Sequence, residues 1–413
     1  MSEPFEIAPR SIDEIIRVEG GQVVATLARM TGRLDLAEDA FAEAALEAVR
    51  RWPVRGLPER PGAWLTTVAR RKALDHLRRE AERPRREEMA QALSSPVELD
   101  LHTVRDDQLR LIFTACHPSL QSASQVALTL RLVCGLTVDE IAAAFLTTSS
   151  ATTRRITRAK DKLRSNRIGF RIPPDEDLPG RLASVLSVVE VIFTTGHHTV
   201  TGSALVRVDL LDEGVRLARL LAELMPDEPE CRGLLALLLS TRARSATRVA
   251  DDGTMVLLRD ADRSRWDRAE IAEAVALLEQ TLRRGRPGPF QLRAAISCLH
   301  SAAPSTEATD WPQIVQLYDM LAARDPSPVV LVNRAVAVAE ARGPEDGLVA
   351  LLEVADDEAM QRWHLFHATH ADLLERTGDR AGARAALDRA LACPHNDIDD
   401  RVLRDRRAAL AGD

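Results

Sequence analysis

A chain of 413 residues with 45% hydrophobic content is too long for one compact core and supports two to four domains. Its net charge is −7, and its longest apolar runs, such as residues 234–240, fall far short of the roughly 20 residues that span a bilayer. Five scattered cysteines without a CxxC pair argue against a disulfide framework or a zinc ribbon, and an opening without an apolar stretch argues against a secretory signal, so a cytoplasmic protein is expected.

Ala, Leu, Arg and Glu abound while aromatics and β-branched alternation are scarce, so the expected fold class is all-α. Ser11 and Glu14 form a capping-box pattern ahead of IIRVEGGQVVATLARM, and Asp35 and Glu38 repeat it ahead of AEDAFAEAALEAVRRW. A Pro-rich turn over 53–62 leads into a cationic helix, AWLTTVARRKALDHLRRE. An aromatic beside such a helix, here Trp64, can stack on an unpaired base while the cations hold the backbone. It can equally be a core residue that anchors the turn, and alone the pattern favours the core. Residues 83–100 mix Pro, Ser and charge without apolar periodicity and read as a linker.

The second block begins near residue 105. A helix through QVALTLRLVC meets Gly135, a natural residue just past a helix end, and Thr137 with Glu140 caps the short helix VDEIAAAF. After the turn LTT comes SSATTRRITRAKDKLR, which completes a helix-turn-helix by spacing. At 100° per residue Thr152, Ile156, Ala159 and Leu163 form one seam, and Arg154, Arg155, Arg158 and Lys162 project from the other side. A helix so divided suits the major groove, where cations hold phosphates and Arg reads guanine edges. A merely solvated face has the same pattern; the capped helix and turn before it weigh toward DNA. Residues 1–170 hold 26 Lys and Arg against 23 Asp and Glu, a balance of +3, whereas the rest of the chain carries −10. That asymmetry sets a front part fit for nucleic acid before an acidic back part.

Pro173 and Pro174 mark a second break, and the rest reads as helix after helix. Two segments near the end align with Gly343 over Gly378, Ala350 over Ala385 and Leu352 over Leu387, a spacing of 35 close to the tetratricopeptide period. Gly378, Ala381, Ala385 and Ala390 are the small residues expected where helices meet closely. His364, His367 and His370 fall on one flank of a helix without a nearby carboxylate or Cys to complete a compact zinc set, and read as interior positions of a repeat helix. His197 and His198 read as loop residues. No Walker loop, dinucleotide fingerprint, HExxH or GxSxG occurs, so neither an enzyme nor a cofactor or metal is expected.

The order LDLAEDAFAEAALEAVRRW, AWLTTVARRKALDHLRR, linker, LTVDEIAAAF, RRITRAKDKLR resembles sigma factors of the extracytoplasmic-function type. The later runs resemble their subgroup with a long tetratricopeptide-like C-terminal extension. The resemblance implies a sigma-two domain over 8–83, a linker over 84–104, a sigma-four domain over 105–168 and an extension over 180–413, its repeats clearest at 328–392. It implies core RNA polymerase and promoter DNA as partners, with no membrane involved. Asp35, Glu38, Asp39 and Glu43 fall on the polymerase clamp-binding helix. Arg55, Arg60, Trp64, Arg71, Arg78 and Arg79 fall on the −10 melting region and the helix beside it. Arg154, Arg155, Arg158, Lys160 and Lys162 fall on the −35 reading helix. The chain departs from the family in Ala42, where Gln is common, in Arg71, where Asn is usual, and in TTSSATT and FTTGHHTV.

The expected function is therefore an alternative sigma factor whose acidic extension regulates it, through a protein partner or an intramolecular contact. A helix-turn-helix regulator with a repeat sensor domain is the alternative, but it leaves residues 34–80 without a task. A scaffold with a solvated basic helix is a third, and it predicts no salt-dependent DNA affinity.

Overall fold

The computed structural model describes residues 12–80, 101–145, 147–166, 168, 177–197, 208–248, 250, 256–283, 285, 287–393, 395 and 397–410. Among them every regular element is helical, and the chain divides into two compact units, Met1–Val191 and Ile192–Asp413.

In the first unit α1 (Ile12–Thr31), α2 (Leu34–Arg55) and α3 (Pro61–Glu80) pack on one another. Ala37, Ala40, Ala44 and Ala48 of α2 are buried along one side, ending in Trp52, so small side chains let the neighbours approach closely. The start of α2 differs from the capping box expected of Asp35 and Glu38. Arg33 takes the N-cap position in extended conformation with no side-chain cap, and Asp35 lies inside the first turn. There its carboxylate meets Arg33 at 2.9 Å and opposes the positive end of the helix. Ser11 and the Glu14 side chain, the other expected box, lie outside the described residues. The Pro-rich turn is also shorter than its sequence suggests. Pro53 is held in the last turn of α2, Gly56 (φ 83°) returns its N–H to the Trp52 carbonyl, and Pro61 opens α3, where no N–H is needed.

The expected linker over 83–100 lies outside the described residues. Beyond it come α4 (Leu101–Ala115), α5 (Ser122–Leu132), α6 (Val138–Ala144) and α7 (Ser149–Ser165). This second block packs on the first. Arg29 Nε of α1 lies 2.8 Å from the buried Asp107 carboxylate of α4. At Gly21 of α1, an added Cβ would sit 2.5 Å from the Val133 carbonyl oxygen, so only glycine fits that crossing. The helix α8 (Leu178–His197) holds the boundary between the units. Its final residue is His197, whose side chain lies outside the described residues, as does His198.

The second unit continues with α9 (Val208–Leu224), α10 (Pro229–Arg242), α11 (Arg268–Leu282), α12 (Pro289–Ala302), α13 (Trp311–Ala322), α14 (Pro328–Arg342), α15 (Pro344–Leu352), α16 (Glu358–Gln361), α17 (His364–Arg376), α18 (Arg380–Ala392) and α19 (Asp397–Ala409). Two hairpins, α14–α15 and α17–α18, both turn on a glycine in the left-handed region, Gly343 (φ 115°) and Gly378 (φ 90°). The spacing of 35 holds for these glycines and fails one step later. Asp379 intervenes as the N-cap of α18, so the buried Gly347, Ala350 and Leu351 of α15 correspond to Ala383, Ala386 and Leu387, a spacing of 36. Consequently Ala381 and Ala385 are exposed, and Ala383, Ala386 and Ala390 form the close seam instead.

The three histidines of α17 point inward as expected. His364 Nε2 lies 3.2 Å from Asp399 of α19, His367 Nε2 lies 2.9 Å from the Gln361 carbonyl, and half-buried His370 packs on Phe366. His300 of α12 is packed edge-on to Trp311 at 5.1 Å, and burial beside Arg244 and Arg263 pushes its pKa down from 6.5 to about 4. Between those values the unfolded chain binds a proton that the native chain refuses, so stability falls as pH drops from 6.5 toward 4. The expected loss between pH 7 and pH 5 is about 2 kcal/mol. Denaturant midpoints of the full chain should show it, and His300→Gln should remove that share of the slope.

Candidate nucleic-acid and polymerase-binding surfaces

The helix α7 is built from its caps inward. Thr137 takes the Glu140 N–H on its hydroxyl at 3.2 Å while its own N–H reaches Glu140 Oε2 at 2.7 Å, so α6 starts with the full reciprocal box. Thr148 then caps α7, its hydroxyl accepting from the Ala151 N–H at 3.1 Å, and the Ser149 hydroxyl donates to Asp139 of α6. Thr152, Ile156, Ala159 and Leu163 are buried along one seam, each large apolar member stabilising by roughly 1.5–3 kcal/mol. The opposite side carries Arg154, Arg158 and Lys162 exposed, with Arg155 half-buried. Arg154 bonds only the Ser150 carbonyl of its own helix, and Arg158 and Lys162 have no partner among the described residues.

Lys160 departs from that face. Its Nζ lies 2.5 Å from Glu38 Oε2 of α2, and the outer Arg164 stands 3.9 Å from Asp35. The Lys160–Glu38 contact is a close ion pair, with Glu38 only 14% exposed. Burial holds the Glu38 carboxyl above its usual range despite Lys160. Removing the cation alone should therefore be costly. Lys160→Met is expected to lose about 2 kcal/mol of stability, and adding Glu38→Gln to recover most of it, as read by urea denaturation of the full chain. A single variant as stable as wild type would mean that the pair contributes nothing.

The other acids of α2 divide likewise. Glu43 takes His76 Nε2 at 2.6 Å and Lys72 at 3.4 Å, and the His76 bond holds its pKa low. Burial would raise the Asp35 carboxyl, but the bond and charge of Arg33 outweigh it and keep it low. Asp39 is exposed. It heads a stripe with Ala42, Leu46 and Val49 at helical spacing, and Leu46 and Val49 are 58% and 46% exposed. This apolar stripe lies opposite the buried alanines.

Trp64 of α3 is half-buried and meets buried Trp52 edge-on, with centroids 5.4 Å apart, so it is shared between core and surface. Arg55 and Arg60 are exposed at either end of the short turn. Arg71 faces Glu47 at 3.4 Å and Arg78 faces Asp75 at 3.7 Å, while the side chain of Arg79 lies outside the described residues.

These features define a helix-turn-helix protein with an exposed apolar stripe on a second helix, and comparison with known families gives the class. Sigma-70 region 2 matches residues 15–83, sigma-70 region 4 matches residues 110–163, and a family of unknown function (DUF6596) matches residues 181–282. The chain belongs to the sigma-70 family, of the extracytoplasmic-function type with a C-terminal extension. An uncharacterized protein of Rhizobium meliloti (strain 1021) is 40% identical over 399 residues, covering 95% of this chain and 94% of that protein. Among the described residues no helix is long and apolar enough to cross a membrane.

Proposed function

We propose that this chain is an alternative sigma factor that binds core RNA polymerase, directs it to particular promoters and is regulated by its own extension. The observation that carries the reading is the presence, within one compact unit, of two outward faces of different chemistry. One is the cationic side of α7, suited to DNA phosphates and guanine edges. The other is the Asp39–Ala42–Leu46–Val49 stripe of α2, an exposed apolar row with an acid at its head that suits a helical protein partner. A DNA-binding regulator working alone needs only the first.

In this reading α2 holds the polymerase clamp and Arg55, Arg60 and Trp64 engage the opened −10 element. Arg154, Arg155, Arg158 and Lys162 then read the −35 element. The helical hairpins of the extension are tetratricopeptide-like, and they act on the front part through a protein partner or an intramolecular contact. Transcription with core polymerase on a library of genomic fragments tests both halves. Promoter-specific starts with the full chain are expected, and their number or strength should change when residues 181–413 are removed. A chain that binds core polymerase and never starts at a promoter would sink the reading. Unchanged transcription after truncation would sink its regulatory half.

A further inference from the structure

The second unit contains a cavity of about 700 Å³ and another of about 390 Å³, and His300, Tyr318 and Asn333 line both. The walls differ in charge. On one side of the larger cavity the cations are matched: Asp372 lies 3.2 Å from both Arg259 and Arg406, and Glu340 lies 2.6 Å from Arg376. The junction between the cavities is not matched. Arg244 gives Nε to the Ser240 carbonyl and Nη2 to the Ser297 hydroxyl, both at 3.2 Å, and no carboxylate among the described residues stands within ion-pair reach. The side-chain charges that bear on it most, Arg248 and Arg263, include two more cations, and burial with them pulls its pKa down to about 10. Arg263 is itself buried and spent on neutral acceptors, the carbonyls of His300 and Ala303 and the Thr306 hydroxyl.

Three polar groups at the same junction are left without a hydrogen bond among the described residues. His300 Nδ1 is buried without a hydrogen bond, and half-buried Tyr318 and exposed Asn333 turn side-chain polar groups to the cavity that make none among the described residues. A half-buried guanidinium without a counter-ion, beside a buried ring nitrogen that makes no hydrogen bond, is a costly arrangement. Such convergent groups in an apolar cleft mark a ligand site. Trp311 and Tyr318 add flat apolar surface beside them.

We propose that this junction binds a small organic anion, a carboxylate or a phosphate carried on a flat ring. Arg244 supplies the charge, with Arg263 behind it, Trp311 and Tyr318 flank the ring, and His300 and Asn333 complete the hydrogen bonding. The site gives the regulatory reading of the extension a ligand class. It rests on that reading only for its consequence in transcription, because binding is measured on the chain alone.

The test titrates the full chain, without polymerase or DNA, with phenyl phosphate, benzoate and benzyl alcohol, read by calorimetry and by the thermal midpoint. Saturable binding of at least one anion, and none of benzyl alcohol, is expected. Which anion binds tells phosphate from carboxylate. Arg244→Gln should weaken that binding about tenfold or more, the cost of one charge-assisted hydrogen bond. Tyr318→Phe, which removes one hydroxyl and keeps the ring, should weaken it less and guards against a folding defect in the first variant. With no anion present Arg244→Gln should keep or raise the midpoint, because it removes an uncompensated cation. Binding of neither anion, equal binding of the alcohol, unchanged binding by Arg244→Gln or a lowered midpoint without anion would each overturn the proposal.

Discussion

A chain carrying Arg154→Ala, Arg158→Ala and Lys162→Ala together should fold as the wild type does and lose most −35-dependent initiation. None of the three side chains holds the fold: they are exposed, and the seam of Thr152, Ile156, Ala159 and Leu163 on the other side is untouched. If each cation neutralises one phosphate, the triple variant gives up about three counter-ions, and the slope of log affinity against log salt should flatten by about three. At one to two kcal/mol per charge-assisted contact the affinity of the polymerase complex for such promoters should fall by about 100-fold or more. Promoter binding measured at several salt concentrations separates the two effects. A slope and an affinity equal to wild type would reduce α7 to a solvated face. Lys160 is left out of the set because it is paired with Glu38.

That pairing shows where sequence reasoning reaches its limit. Everything local to α6 and α7 was legible: the Thr137–Glu140 box, the turn, the buried seam and the exposed cations all follow from spacing and capping. At 100° per residue Lys160 already falls off the cationic face, but the period could not name its partner. Its position is set by a partner 122 residues earlier, Glu38, brought near because α4 docks on α1. The same holds for Asp399 on His364, a contact across two helices that the spacing of the histidines did not contain. Other misses were local and recoverable. Asp35 and Glu38 fit the S/T/D-x-x-E spacing of a cap, but Arg33 takes the N-cap in extended form and draws Asp35 into the first turn. The repeat register slipped by one because Asp379 adds a capping residue that the α14–α15 turn lacks. The apolar stripe on α2 was open to the same 3.6-residue count used for α7. Buried Ala37, Ala40, Ala44 and Ala48 place Leu46 and Val49 opposite them.

The stripe sets the larger of the expected effects. Leu46→Asp with Val49→Asp should abolish stable association with core polymerase while leaving the chain folded. Both side chains are about half exposed in the free protein, so the substitutions remove little buried area and add charge to a surface already wet. In a complex the same positions would be desolvated, and each carboxylate would be buried against a partner without a counter-ion. Apolar anchors at the centre of an interface cost about 2 kcal/mol or more apiece when lost, and a desolvated unpaired charge adds to that. Together they should weaken the complex by about 1000-fold or more, since about 4 kcal/mol is that factor. Co-elution with core polymerase, beside thermal midpoints of the free chains, distinguishes a lost interface from a lost fold. The complementary variant, Asp39→Asn, removes the one exposed acid of that row and should act on the rate of association and its salt dependence more than on the lifetime of the complex. If the double variant still co-elutes at wild-type strength, the polymerase does not use this face of α2. The acids that would then have to carry the contact are Asp35, Glu38 and Glu43, each already facing Arg33, Lys160 or His76 in the free chain. Binding would then have to break those pairs first, and its rate should rise when Lys160 or His76 is replaced.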